Sequence, residues 1–128
     1  MTRIICVGNR FAYPDNFGIL IYEQLKTLTL DAIEVVEGGV GGDSLALYFE
    51  DDAKILIVDY ATDEMPKVIT QDDIMALEID EYNHANALLY FLTSIEKNYT
   101  LYLCSDPFDP QDLSSYLDEI ISLAKDLV

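Results

Sequence analysis

Two carboxylates and one imidazole stand out in this chain: Asp15 in a loop between Gly8 and Gly18, Asp59 at the end of an apolar run, and His84, the only histidine. One histidine with two carboxylates is a donor set that suits a borderline divalent cation where no thiolates compete. Each of the three also has a plain structural role open to it. Asp15 or Asn16 is placed to cap a following helix, a role contributing about 1 kcal/mol. Asp59 could close a turn into Ala61-Thr62, although a carboxylate ending an apolar strand must emerge, pair or bind something to avoid a desolvation cost of several kcal/mol. His84 continues the stripe of Leu88 and Leu92 and could be a satisfied histidine at the edge of the core. Its place in a first helical turn would keep the imidazole neutral, which is the form that binds metal.

The elements that must position these residues alternate along the chain. Residues 3–7 read as a strand buried on both faces, and Phe17, Ile21, Leu25 and Leu28 recur at helical spacing. Ile33 to Glu37 is a second strand, closed by Gly38-Gly39-Val40-Gly41-Gly42, after which Asp43 or Ser44 can cap a short helix. Lys54 to Val58 is the clearest central strand. Val68-Ile69-Thr70 is short and β-like, and the acidic residues beyond it suggest surface loops. From His84 a helical pattern runs through Leu88, Phe91, Leu92 and Ile95, then Thr100 to Cys104 forms a strand. Asp109-Pro110 supplies a cap and first-turn proline for a last helix with the stripe Leu113, Leu117, Ile120, Ala124 and Leu127. Such alternation predicts right-handed crossovers and a three-layer αβα domain with a mainly parallel sheet. In open sheets of this kind, ligands bind beyond the carboxyl ends of the strands. The loops holding Asp15, Gly38 to Gly42 and Asp59 all follow strands, so the fold should gather them at one edge.

The 128 residues fit one domain spanning 1–128, and an apolar fraction of 51% fills a core without disulfides. Cys6 and Cys104 read as buried thiols of a reducing compartment. Without a charged leader and h-region, or an apolar run near the roughly 20 residues that span a bilayer, a soluble cytoplasmic protein is expected. Twenty-four acidic residues against seven basic ones give a net charge of −17, which disfavours nucleic acid and membrane surfaces. The same field favours divalent cations or a basic peptide partner. The first loop lacks the spacing and the Lys-Ser/Thr ending of a P-loop. The glycines at 38, 39, 41 and 42 supply positive-φ turns or, functionally, let an extended peptide approach the backbone closely, with Gly38, Gly39 and Gly41 as the candidate substrate loop. Ser44 and Ser105 have no second histidine to activate them, and no residue is an obvious nucleophile.

Taken in order, the strand and turn Ile-Cys-Val-Gly8-Asn9, the acid at Asp15 with Gly18 three positions on, Glu37-Gly38-Gly39, Ile-Leu-Ile-Val-Asp59, and His84 before a leucine-rich helix resemble the nickel–iron hydrogenase maturation endopeptidases. The resemblance covers most of the chain. It implies that Asp15, Asp59 and His84 fall on the family's three metal-ligand positions and act together in catalysis. It further implies an endopeptidase that removes the C-terminal extension of a hydrogenase large-subunit precursor after nickel insertion. The metal it implies is nickel presented by that substrate, with zinc or cadmium able to occupy the same site. Pro14, Asn16-Phe17 and Glu37 depart from the family pattern. The competing reading is a non-catalytic α/β module that holds a small ligand or a partner peptide.

Overall fold

The computed structural model describes residues 1–61, 66–76 and 87–127. His84 lies outside the described residues. Five strands form one sheet in the order β2-β1-β3-β5-β4: β1 Thr2–Cys6, β2 Ile33–Glu37, β3 Lys54–Tyr60, β4 Val68–Thr70 and β5 Tyr99–Cys104. The first three and β5 run parallel, with Ile4 opposite both Val35 and Leu56, and Ile57 opposite Leu101. Only the short edge strand β4 is antiparallel.

Side-chain alternation divides the core into two layers. On one face Ile4, Cys6, Leu56, Val58 and Tyr102 pack under α1 (Phe17–Leu25) and α4 (Ser114–Leu127). On the other, Ile5, Val7, Ile55, Ile57 and Leu103 meet the 3-10 segment Asp43–Phe49, α2 (Gln71–Ala76) and α3 (Ala87–Leu92) through Leu45, Ile74, Leu88 and Leu92. The three-layer arrangement is therefore present. Both cysteines are buried and free. No described helix is long and apolar enough to cross a membrane.

Several local expectations are corrected. The segment after β4 is a helix, α2, because Thr70 and Asp73 form half of a capping box: the Asp73 carboxylate accepts from the Thr70 N–H at 3.0 Å and its hydroxyl at 3.1 Å. Neither Asp15 nor Asn16 caps α1 through its side chain. Asn16 is the N-cap residue, but its φ of −81° and ψ of 3° lie outside the extended conformation from which a side chain reaches back to the first turn. Main-chain bonds serve instead, Phe17 N–H to Pro14 O at 3.1 Å and Leu20 N–H to Asn16 O at 3.0 Å. The 3-10 segment likewise begins at Gly42 without a side-chain cap. The last helix starts at Ser114, not at Pro110. Asp109 closes a turn by accepting the Gln111 N–H, while Asp112 accepts from the Ser114 hydroxyl at 2.8 Å.

The two ends of the sheet differ in chemistry. At the amino end Arg3 reaches Asp51 at 2.7 Å, Glu34 at 2.9 Å and the Tyr48 carbonyl at 2.7 Å, a closed set of charge-assisted bonds. At the carboxyl end, β1 leads toward β2 on one side while β3 lies on its other side, so the chain reverses direction across the sheet between β1 and β3. A crevice opens at such a reversal.

Candidate functional site

Asp59 and Asp15 flank that reversal. Asp59 is the penultimate residue of β3, one step further into the strand than the apolar run suggested, and only 9% of its surface is exposed. By alternation it shares the face of Ile55 and Ile57, the face covered by α3. Its Oδ1 accepts the N–H of Tyr60 at 2.8 Å. Burial pushes its carboxyl up to about 7, the Tyr60 N–H pulls it back, and the nearby charge of Asp15 pushes it up again. A buried carboxylate held this way is half-ionised near neutrality, able to accept a proton or to lose one to an approaching cation.

Asp15 is exposed at the end of the loop that follows β1. The loop closes on itself: the Asn9 N–H donates to the Asp15 carbonyl at 2.9 Å, and the Val7 N–H donates to Val58 O at 2.8 Å. Gly18 makes this possible. A Cβ at that position would stand 2.0 Å from Val7 O and 3.0 Å from Val58 O, so only glycine lets the first turn of α1 sit against the ends of β1 and β3. The two aspartates are thus brought to one edge, as the sequence order implied.

His84 lies outside the described residues; the described chain resumes at Ala87, with α3. Leu88 is buried, and its Cβ lies where a Cβ on Gly41 would come within 3.4 Å, next to Val7. Among the described residues no group of three or more His, Cys, Asp or Glu side chains is arranged to hold a metal.

The Gly38 to Gly42 loop borders the same edge. Gly8 N–H donates to Gly39 O at 2.8 Å, joining it to the first loop. Gly39 has a φ of +63° and open space beside it, which is the turn geometry expected of this loop.

A third wall was not legible in the sequence. Tyr13 donates its hydroxyl to the Phe108 carbonyl at 3.0 Å and packs its ring 5.0 Å from that of Phe108, while Tyr60 lies 6.1 Å from it. Burial, followed by the charges of Cys104, Tyr13, Asp106 and Asp15, raises the Tyr60 hydroxyl, so these groups surround one spot. Cys104 sits opposite Tyr60 in the register, its thiol donating to Asp106 O at 3.4 Å; burial raises its pKa, and the contact with Asp106 offsets part of that rise. It is a neutral thiol.

Solved structures share this fold. The hydrogenase-maturating endopeptidase HybD from E. coli superposes with a TM-score of 0.66 at 17% identity, over 98% of this chain and 93% of its own. The [NiFe] hydrogenase maturation protease HycI from Thermococcus kodakarensis KOD1 gives 0.59 at 18% identity, over 97% and 92%. A hydrogenase 2 maturation peptidase from a Thaumarchaeota archaeon gives 0.53 at 22%, over 98% and 94%. The chain has the fold of the hydrogenase maturation endopeptidases. No family model matches the sequence, and no curated protein matches it.

Within this maturation-endopeptidase fold, the unusual residues have structural work. Phe17 is fully buried and meets Phe108 and Tyr116 edge-on at 5.0 and 5.2 Å. Glu37 accepts from Arg10 at 3.2 Å, tying the first loop to the end of β2. Both departures brace the loop that carries Asp15.

Proposed function

We propose that this protein is an endopeptidase that removes the C-terminal extension of a nickel–iron hydrogenase large-subunit precursor after nickel has been inserted. The observation that carries this reading is Asp59: a carboxyl group held near 7 by burial, beside Asp15, at the sheet reversal of a fold shared with proteins named as hydrogenase maturation endopeptidases. The donor chemistry fits a cation. A buried carboxylate with lone pairs beyond the one satisfied by Tyr60 gains most from a positive charge brought to it. Asp15 adds a second oxygen donor from the solvent side. His84 is assigned as the third ligand and catalytic partner; Leu88, four residues on in the chain, is buried on the sheet face that Asp59 shares.

Nickel enters this scheme as part of the substrate, and zinc or cadmium would be taken by the same three residues. Two carboxylates and an imidazole leave coordination positions open, as a site that reads a partner's metal requires. Asp59, poised between its two protonation states, is suited to take the proton of an attacking water. Water is favoured as nucleophile because the thiol at this edge, Cys104, is held in its neutral form. The test is incubation with nickel-loaded precursor followed by intact-mass measurement. Loss of the tail with wild type and its retention with Asp59→Asn support the reading. A precursor that stays full length with wild type removes it, leaving the non-catalytic binding module in its place.

A further inference from the structure

Seven large apolar side chains are exposed among the described residues, and three of them, Phe11, Tyr13 and Val40, stand on the two loops that border Asp59 and Asp15. Phe11 is 93% exposed and Val40 74%. The loops are linked by the Gly8–Gly39 hydrogen bond and by Arg10, whose guanidinium meets Glu23 at 3.3 Å and Glu37 at 3.2 Å. Phe11 is therefore exposed on a main chain that is tied down. Its own N–H donates to Asn9 Oδ1 at 3.0 Å, the Ala12 N–H donates to Asn9 O at 3.2 Å, and Tyr13 is fixed on Phe108. A phenyl ring presented on a braced loop loses little freedom on docking, and aromatic anchors of this kind dominate protein interfaces.

Charge states what it meets. Arg10 is the one cation described on these two loops and is already engaged by two carboxylates, while Asp15, Asp106 and Asp109 are exposed around the rim. The whole chain carries −17. A complementary partner presents an apolar pocket edged by lysine and arginine.

Resting on the peptidase reading, we propose that Phe11, with Val40 and Tyr13 exposed on the same two loops, is the anchor on which the metal-bearing precursor protein docks, seated in an apolar pocket with a basic rim. The anchor holds the precursor on the outer side of the loops while its tail crosses over them to Asp59.

The test is equilibrium binding of nickel-loaded large-subunit precursor to the full chain. Phe11→Ser should weaken Kd about tenfold or more. Phe11→Leu, which keeps apolar area, should recover most of the loss. Leu47→Ser, at another exposed apolar site, on the segment leading to the opposite end of the sheet, should leave Kd and cleavage unchanged. Raising the salt concentration should weaken wild-type binding. Wild type that cleaves the precursor while Phe11→Ser binds it equally well overturns the anchor and leaves the peptidase standing. Wild type that neither binds nor cleaves any precursor overturns the peptidase reading, and the anchor with it. A wild-type dimer that Phe11→Ser converts to monomer assigns the ring to self-association and also overturns the proposal.

Discussion

Replacing Asp59 with asparagine should make the protein more stable and, at the same time, inactive. The carboxyl group is raised by burial from an ordinary 3.8 to about 7 in the folded chain. A difference of about three pH units, at about 1.4 kcal/mol each, amounts to roughly 4 kcal/mol. The sign follows from where the proton is held more tightly. The folded state binds it better, so the contribution of this group is most favourable below about pH 4, where both states are protonated. It declines as pH rises toward 7 and is fully lost above that. Asparagine carries no charge to desolvate and keeps an oxygen for the Tyr60 N–H. Its amide N–H groups need partners, which takes back about 1–2 kcal/mol. A net gain of about 2–3 kcal/mol at pH 8 is expected, or roughly 6–12 °C in Tm for a domain of this size. Urea titrations of both proteins in chelator, at pH 5 and pH 8, cancel every other titrating group. The gap between them should widen by about 2–3 kcal/mol from the lower to the higher pH. A gap that does not change with pH, or a variant less stable at pH 8, would refute the assignment of Asp59 as a strained buried acid. Buried carboxyl groups with pKa values raised this far cluster at functional sites.

Other perturbations separate structure from function at the same edge. Gly18→Ala would place a methyl 2.0 Å from Val7 O, so its urea midpoint should fall by an amount equivalent to about 3 kcal/mol or more, with activity lost through unfolding. Asp15→Ala should leave the melting temperature within an equivalent of about 0.5 kcal/mol, since the side chain is exposed and caps nothing, yet should stop precursor cleavage. Calorimetric titration with nickel, zinc or cadmium should show weak binding to the free protein that His84→Ala largely removes; unchanged heats in that variant would move the metal to the acidic surface.

Much of the architecture was readable because it depends on local pattern. Ile55-Leu56-Ile57-Val58 could only be a strand covered on both faces, and strand–helix alternation then implied the parallel order. Asp59 was legible for the same reason, as a carboxylate with no apolar role. Helix starts were read less well. Asp15, Asn16 and Asp109 are cap-type residues, but the main chain or a neighbouring turn satisfies the N–H groups they were expected to serve. The capping box of Thr70 and Asp73 was present in the sequence and marks α2, masked there by the acidity of the segment. What no local pattern could show was contact across distance. Tyr13 and Phe108 meet from opposite ends of the chain, as do Arg10 and Glu37 over a shorter span, and the outward position of Phe11 follows from those anchors.

Nickel dependence of precursor processing tests most directly whether Asp15, Asp59 and His84 read a metal on the substrate. Large-subunit precursor is prepared with and without nickel, each is incubated with wild-type protein, and the intact mass of the product is measured. The nickel-loaded precursor should lose its C-terminal extension, and the nickel-free precursor should keep it. Shortening of both alike would contradict the assignment of Asp15, Asp59 and His84 as readers of the substrate's metal.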